Sequence, residues 1–197
     1  ITATTSGSYT VTVTNASGCS LMSAATVVTV SAFPSVSPIT GASNVCLGSS
    51  TTLASSTTGG TWSSSNTAVA TVSATGIVTG VTVGSATIIY SVANASGCTV
   101  TVTASASIAV GPVPSIVAQS ATICSGSSFT ITPTNGGSNA VPTGTTYAWS
   151  APTEAGITGT TAGIAATSIT GTLTNTTNSV IFVDYIVTPT SGFCTGA

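Results

Sequence analysis

Apolar and hydroxyl-bearing residues alternate along much of this chain. Tyr9, Val11 and Val13 are interleaved with Thr10, Thr12 and Thr14. Ala86, Ile88, Tyr90 and Val92 are interleaved with Thr87, Ile89 and Ser91, and Val100 and Val102 with Thr99, Thr101 and Thr103. A period of two sends successive side chains to opposite faces of an extended backbone, so these segments predict half-buried antiparallel strands with a hydroxyl-rich outer face. Turn-forming groups separate the strands at Ser6-Gly7, Gly59-Gly60 and Asn135-Gly136-Gly137. No segment combines a helical period with caps; residues 162–169 are alanine-rich, but glycine and threonine flank them. The predicted class is all-β.

The strands recur at a fixed period. Asn15-Ala-Ser-Gly-Cys19 returns as Asn94-Ala-Ser-Gly-Cys98 and, more loosely, as Ser191-Gly-Phe-Cys194, each after a strand holding a tyrosine (Tyr9, Tyr90, Tyr185). Val45-Cys46-Leu-Gly-Ser-Ser returns as Ile123-Cys124-Ser-Gly-Ser-Ser. Cys19 and Cys98 lie 79 residues apart, and Cys46 and Cys124 lie 78 apart. A period of about 80 residues is the size of a small β-sandwich. Phe33-Pro34 and Gly111-Pro112-Val113-Pro114 mark the boundaries, because proline fixes φ and stiffens a short linker. The expected organisation is a rod of tandem β-sandwiches: the last strands of a truncated domain at 1–32, a complete domain at 33–112, and a domain at 113–197 without its last strand.

Each repeat carries an early and a late cysteine. The period therefore predicts disulfides Cys46–Cys98 and Cys124–Cys194, with Cys19 paired to a cysteine outside this stretch; free buried thiols are the alternative. A metal site has no support, since CxxC, histidine and acidic clusters are absent. Disulfides imply an oxidising compartment.

Composition narrows the function. The sequence has no Lys, Arg or His, and Glu154 and Asp184 are its only carboxylates, for a net charge of -2. Threonine and serine contribute 43 and 32 residues, supplying the wet surface that charges usually supply, and 42% hydrophobic content separates the chain from disordered segments. Without cations it offers nothing to phosphates, which excludes nucleic acid as a partner and attraction to anionic membranes. Hydroxyls interrupt every apolar run well short of the roughly 20 residues of a membrane-spanning helix, so membrane insertion is not expected. Near-zero net charge favours self-association.

Two stretches resemble known families. Trp62-Ser-Ser-Ser-Asn66, Val69-Ala-Thr-Val-Ser73, Gly76-Ile-Val-Thr-Gly-Val81 and Gly84-Ser-Ala-Thr-Ile88 resemble the bacterial Ig-like group-2 domain of surface adhesins such as intimins and invasins. Thr146-Tyr147-Ala-Trp149-Ser150, Gly156-Ile-Thr-Gly159, Gly171-Thr-Leu-Thr-Asn175 and Tyr185-Ile-Val-Thr-Pro189 resemble the PKD-like repeats of long Bacteroidetes surface proteins, as does the stretch from Gly7 to Cys19. The resemblance implies that the tandem sandwiches are immunoglobulin-like, with an extracellular place at a bacterial cell surface and a role as stalk or filament. The chain departs from calcium-stiffened adhesin repeats in lacking interdomain Asp and Glu. Trp62 and Trp149 follow Cys46 and Cys124 by 16 and 25 residues, the spacing of a strand-C tryptophan packed on an intersheet disulfide.

No catalytic residues are expected. Glu154 and Asp184 would lack a base, an activator and a metal, and no serine has a histidine or lysine to activate it. No cofactor is implied. Asn15, Asn94 and Asn175 lie in Asn-x-Ser/Thr sequons, where a turn role is favoured for the first two. In the third unit Ile181, Val183, Tyr185 and Val187 should face the core. Phe182, Asp184 and Ile186 then face outward, either as a contact surface for a neighbouring domain or chain or beneath a loop of the same domain. The expected function is a non-catalytic stalk or filament segment of an extracellular adhesin, with neighbouring Ig-like domains or identical subunits as partners. The alternatives are a module binding glycans or a surface, and spacer domains of a secreted enzyme or phage structural protein.

Overall fold

β-Branched residues in alternation favour extended backbone, because a branched Cβ packs well on a pleated surface. The computed structural model describes residues 2–30, 35–93 and 101–196, with the backbone alone at 101 and 102, and these residues contain strands and no helix. Phe33-Pro34 and Asn94-Ala-Ser-Gly-Cys98 lie outside the described residues.

The first unit is one long, interrupted hairpin. β1 (Gly7–Tyr9) pairs antiparallel with β4 (Thr26–Val28), and β2 (Thr12–Thr14) with β3 (Ser20–Met22). The turn at its tip is built by Asn15, whose Oδ1 accepts the N–H groups of Ser17 (3.0 Å) and Cys19 (2.9 Å). Gly18 completes it at a φ of 83°, a left-handed conformation in which glycine avoids the Cβ penalty. The alternation predicts a buried face here, but Val11, Val13, Leu21, Met22 and Val27 are exposed. No second sheet lies against them among the described residues.

The second unit is a seven-stranded sandwich. One sheet has the order β5 (Asn44–Cys46), β11 (Thr101–Gly111), β10 (Gly84–Ala93), β7 (Thr61–Ser64); the other runs β6 (Ser50–Thr52), β9 (Ile77–Gly80), β8 (Ala70–Val72). β10 and β11 pair antiparallel over ten residues, from Gly84↔Val110 to Ala93↔Thr101, and β5 joins the edge of β11 in parallel. The predicted inward set on β10, Ala86, Ile88, Tyr90 and Val92, is buried. Ala86 and Ile88 meet Ile108 and Val110 of β11 and Val45, Leu53, Ala70 and Val78 of the other strands and their flanks in one core. Tyr90 pins a corner. Its hydroxyl donates to Thr57 O (2.8 Å) and accepts the Gly60 N–H (2.9 Å), while its ring lies 4.6 Å from the half-buried Trp62.

The third unit repeats the two-layer plan. One sheet runs β12 (Ser127–Ile131), β16 (Ile169–Asn175), β14 (Ile157–Thr158); the other runs β15 (Gly163–Ala166), β13 (Thr146–Trp149), β17 (Val187–Ser191), β18 (Cys194–Thr195). Tyr147, Trp149 and Ile169 form its core with Ile116, Phe129, Ile131, Ala166, Tyr185 and Val187 around them. Trp149 lies over Gly163, where a Cβ would sit 2.3 Å from its ring, and its Nε1 donates to Thr161 O (2.9 Å). β13 and β15 carry a register shift at this place, and Ala165 has a φ of 51°. The alanine-rich stretch at 162–169 forms β15 and the start of β16, not a helix.

Candidate functional site: the clamped joint and the open edge

The chain brings two sandwiches together through residues that the sequence suggested only as a linker. β11 ends at Gly111, directly beside Cys46 in the parallel ladder, and the Leu47 N–H donates to Gly111 O at 2.9 Å. Pro112-Val113-Pro114 leads from there into the third unit, and Pro114 is fully buried. The hairpin of β17 and β18 returns to this point. A Cβ on Gly111 would lie 2.8 Å from the Phe193 ring and 2.9 Å from Cys194 Sγ, so only glycine admits this approach. Gly196 packs still more closely on the Pro114 carbonyl, and its N–H donates to Pro189 O at 2.9 Å.

At the centre of the joint Cys46 and Cys194 form a disulfide with a Cα–Cα distance of 5.6 Å. This corrects the expected pairings Cys46–Cys98 and Cys124–Cys194. The early cysteine of the second unit is bonded to the late cysteine of the third, and the cross-link spans the two units rather than one. The physical reason is placement. Cys46 ends an edge strand at the joint, and the short proline linker sets the last hairpin of the next unit on top of it, with Cys194 fully buried there. Cys124 is free and exposed, and so is Cys19; Cys98 lies outside the described residues. Trp62 therefore packs on Tyr90 with no disulfide from Cys46 beneath it, unlike the spacing-based expectation. Trp149 packs over Gly163, with Cys124 exposed elsewhere.

Sequence reasoning missed Gly111, Phe193 and Gly196 as joint residues. One signal was present: Phe193 puts an aromatic before the late cysteine, where the other two copies of the motif have glycine.

The other feature is an open edge. Residues 180–186 precede β17 in extended alternation, yet no backbone hydrogen bond joins them to any described residue. Ile181, Val183 and Tyr185 are half-buried, whereas Phe182 (85% exposed), Asp184 and Ile186 (77% exposed) face outward. No loop of the described residues covers them. Pairing with β13 begins only at Val187, because β13 ends at Trp149.

Tyr185 contributes to the core, but its hydroxyl is buried without a partner, and burial raises its pKa above the ordinary 10.0. Burial raises that of Tyr147 in the same way. No group of three or more potential metal ligands occurs among the described residues. Asn175 plays the turn role foreseen for Asn15: its Oδ1 accepts the Thr177 N–H and its Nδ2 donates to Ser179 O. No helix among the described residues is long and apolar enough to cross a membrane.

Comparison with known proteins agrees with the two resemblances. Residues 24–104 match the bacterial Ig-like domain (group 2), and residues 121–197 match the PKD-like domain. No curated protein matches the chain. The first match begins at Ala24, inside the hairpin of the first unit, although β4 pairs with β1 and joins neither sheet of the second unit.

Proposed function

We propose that this succession of a bacterial Ig-like domain of group 2 and a PKD-like domain serves as a non-catalytic structural segment, a stalk or filament, of an extracellular bacterial surface adhesin. The observation that carries this reading is the Cys46–Cys194 cross-link between successive units. A disulfide within a domain stabilises that domain; one between domains resists their separation and bending. Together with the buried Pro114 and the glycine contacts at 111 and 196, it suits a chain that transmits force without yielding at its linkers. Domains of the group-2 kind occur in bacterial surface proteins, and disulfides persist in oxidising surroundings.

The uncovered edge at 180–186 and the apolar face of the first hairpin favour assembly with neighbouring Ig-like domains or identical subunits. Electron microscopy of the native material on the cell surface tests the proposal. Long fibres with a repeat of one or two Ig-domain lengths are expected; discrete globular particles would overturn it and make these domains spacers. A glycan-binding module is the second reading. It is favoured by a groove in which the half-buried Trp62 and the buried Tyr90 are bordered by Thr52, Ser55 and Thr75. Glycan-array binding that Trp62→Ala abolishes would shift the balance to it.

A further inference from the structure

Cys46 and Cys124 open the same local turn, although Cys46 ends β5 and Cys124 lies in no strand. The Ser49 N–H donates to Cys46 O at 2.9 Å, and the Ser127 N–H donates to Cys124 O at 3.0 Å. Gly48 and Gly126 follow with φ of 77° and 81°. Their N–H groups donate to Gly80 O (3.0 Å) at the end of β9 and Leu173 O (2.8 Å) of β16, the strands paired with β6 and β12 respectively. Cys19 and Cys194 are likewise matched. Cys19 immediately precedes the returning strand and Cys194 begins it, each just beyond a turn containing a left-handed glycine, Gly18 (φ 83°) or Gly192 (φ 58°).

One member of each pair is bonded to the other kind: Cys46 to Cys194. Cys124 and Cys19 are both free and exposed. The ground beside Cys124 is also open. The Leu47 N–H is taken up by Gly111 O, whereas the N–H of Ser125, its counterpart, has no partner among the described residues.

We propose that Cys124 accepts the hairpin-tip cysteine of a following unit as Cys46 accepts Cys194, and that between copies of this chain this cysteine is Cys19 of a second copy. The link would join copies head to tail into a covalent chain. Two further observations favour a second copy as the occupant. The hairpin bearing Cys19 exposes Val13 and Leu21 on one face and Met22 on the other, with Val27 also exposed, and holds no charge, so its apolar side chains lack cover. The whole chain has a net charge of only -2, so copies repel one another little.

The oxidant is a small-molecule disulfide. The Cys124 thiolate attacks it, forms a mixed disulfide and releases one small thiol. The Cys19 thiolate of the second copy then attacks Cys124 Sγ and expels the other small thiol. The two cysteines lose two electrons and two protons in all, and the small disulfide gains them as two thiols.

The test is incubation of the full chain with oxidised glutathione at neutral pH, followed by non-reducing electrophoresis and tandem mass mapping of elastase peptides, which separate Cys98 from Cys124 at the small residues between them. A ladder of multimers that reductant collapses, carrying a Cys19–Cys124 peptide, is expected. Cys19→Ser and Cys124→Ser chains should each fail to form that ladder alone, yet give a dimer when mixed. Both positions are exposed, so thermal melting of the variants should match that of the parent chain. Monomers only, or links joining Cys19 to Cys19, Cys124 to Cys124 or either to Cys98, would overturn the proposal. It shares with the stalk reading the premise of units in series, but the two fail separately. Fibres on cells without the Cys19–Cys124 peptide sink the link alone, and the peptide with only globular particles on cells sinks the stalk alone.

Discussion

Tyr90 and Tyr185 occupy equivalent places in the repeat, yet their hydroxyls have opposite circumstances. That of Tyr90 satisfies Thr57 O and the Gly60 N–H, whereas that of Tyr185 is buried without a partner. Removing an oxygen that serves two backbone groups leaves both unsatisfied, while removing one that serves none relieves a desolvation cost. Tyr90→Phe should therefore lower stability by about 1–3 kcal/mol. Tyr185→Phe should leave it unchanged or raise it by about 1 kcal/mol. Urea titrations of the two variants against the parent chain check both. Alkali should act through the same residues. Tyr147 and Tyr185 have folded pKa values raised by burial, so the unfolded chain loses their phenolic protons first. Their contribution is complete below the ordinary pKa of 10.0 and is lost as pH rises through the higher folded values. Histidine and lysine are absent, so melting temperature should change little between pH 6 and 9 and fall above about pH 10. A fall already complete at pH 9 would contradict this account.

Among the elements, β10 and the segment leading into β17 carry the same apolar alternation, and its inward set was legible in the sequence for both. Their difference lies in what stands alongside. β10 has β11 on one side and β7 on the other, whereas residues 180–186 have no backbone partner among the described residues. Alternation specifies which way side chains face, but pairing requires a second strand in register. The first hairpin makes the same point: its pattern is amphipathic, but a two-stranded ribbon cannot bury its own apolar face. An edge without proline or lysine, carrying Asp184 as its single charge, has little to stop it recruiting other strands. Phe182→Lys combined with Ile186→Lys should reduce self-association of the chain in sedimentation velocity at neutral pH. The melting temperature should stay within a few degrees, since both side chains point to solvent. Unchanged association would show that this edge takes no part in it.

Over the whole molecule, the Cys46–Cys194 bond encloses 148 residues of sequence separation, including nearly all of both sandwiches. In the chain-entropy account a loop of that length lowers the entropy of the unfolded state by the equivalent of about 5 kcal/mol, more than the shorter loops expected within single units. Cys46→Ser should lower the urea midpoint and broaden the angle between units seen by small-angle scattering. Reductant should do the same to the parent chain and nothing more to the variant. A parent chain indifferent to reductant would mean that the two sulfurs are not joined. The all-β class, the 80-residue period, the two family resemblances, the buried set of β10 and the outward set Phe182, Asp184 and Ile186 were legible in the residues alone, because each follows from local alternation or a short motif. Which cysteines meet depends on how the sandwiches are set against each other. A repeat period says which residues are equivalent and not which are adjacent. Adjacency came from a glycine at 111, a proline linker and an edge strand, which together place the end of one sandwich on the flank of another.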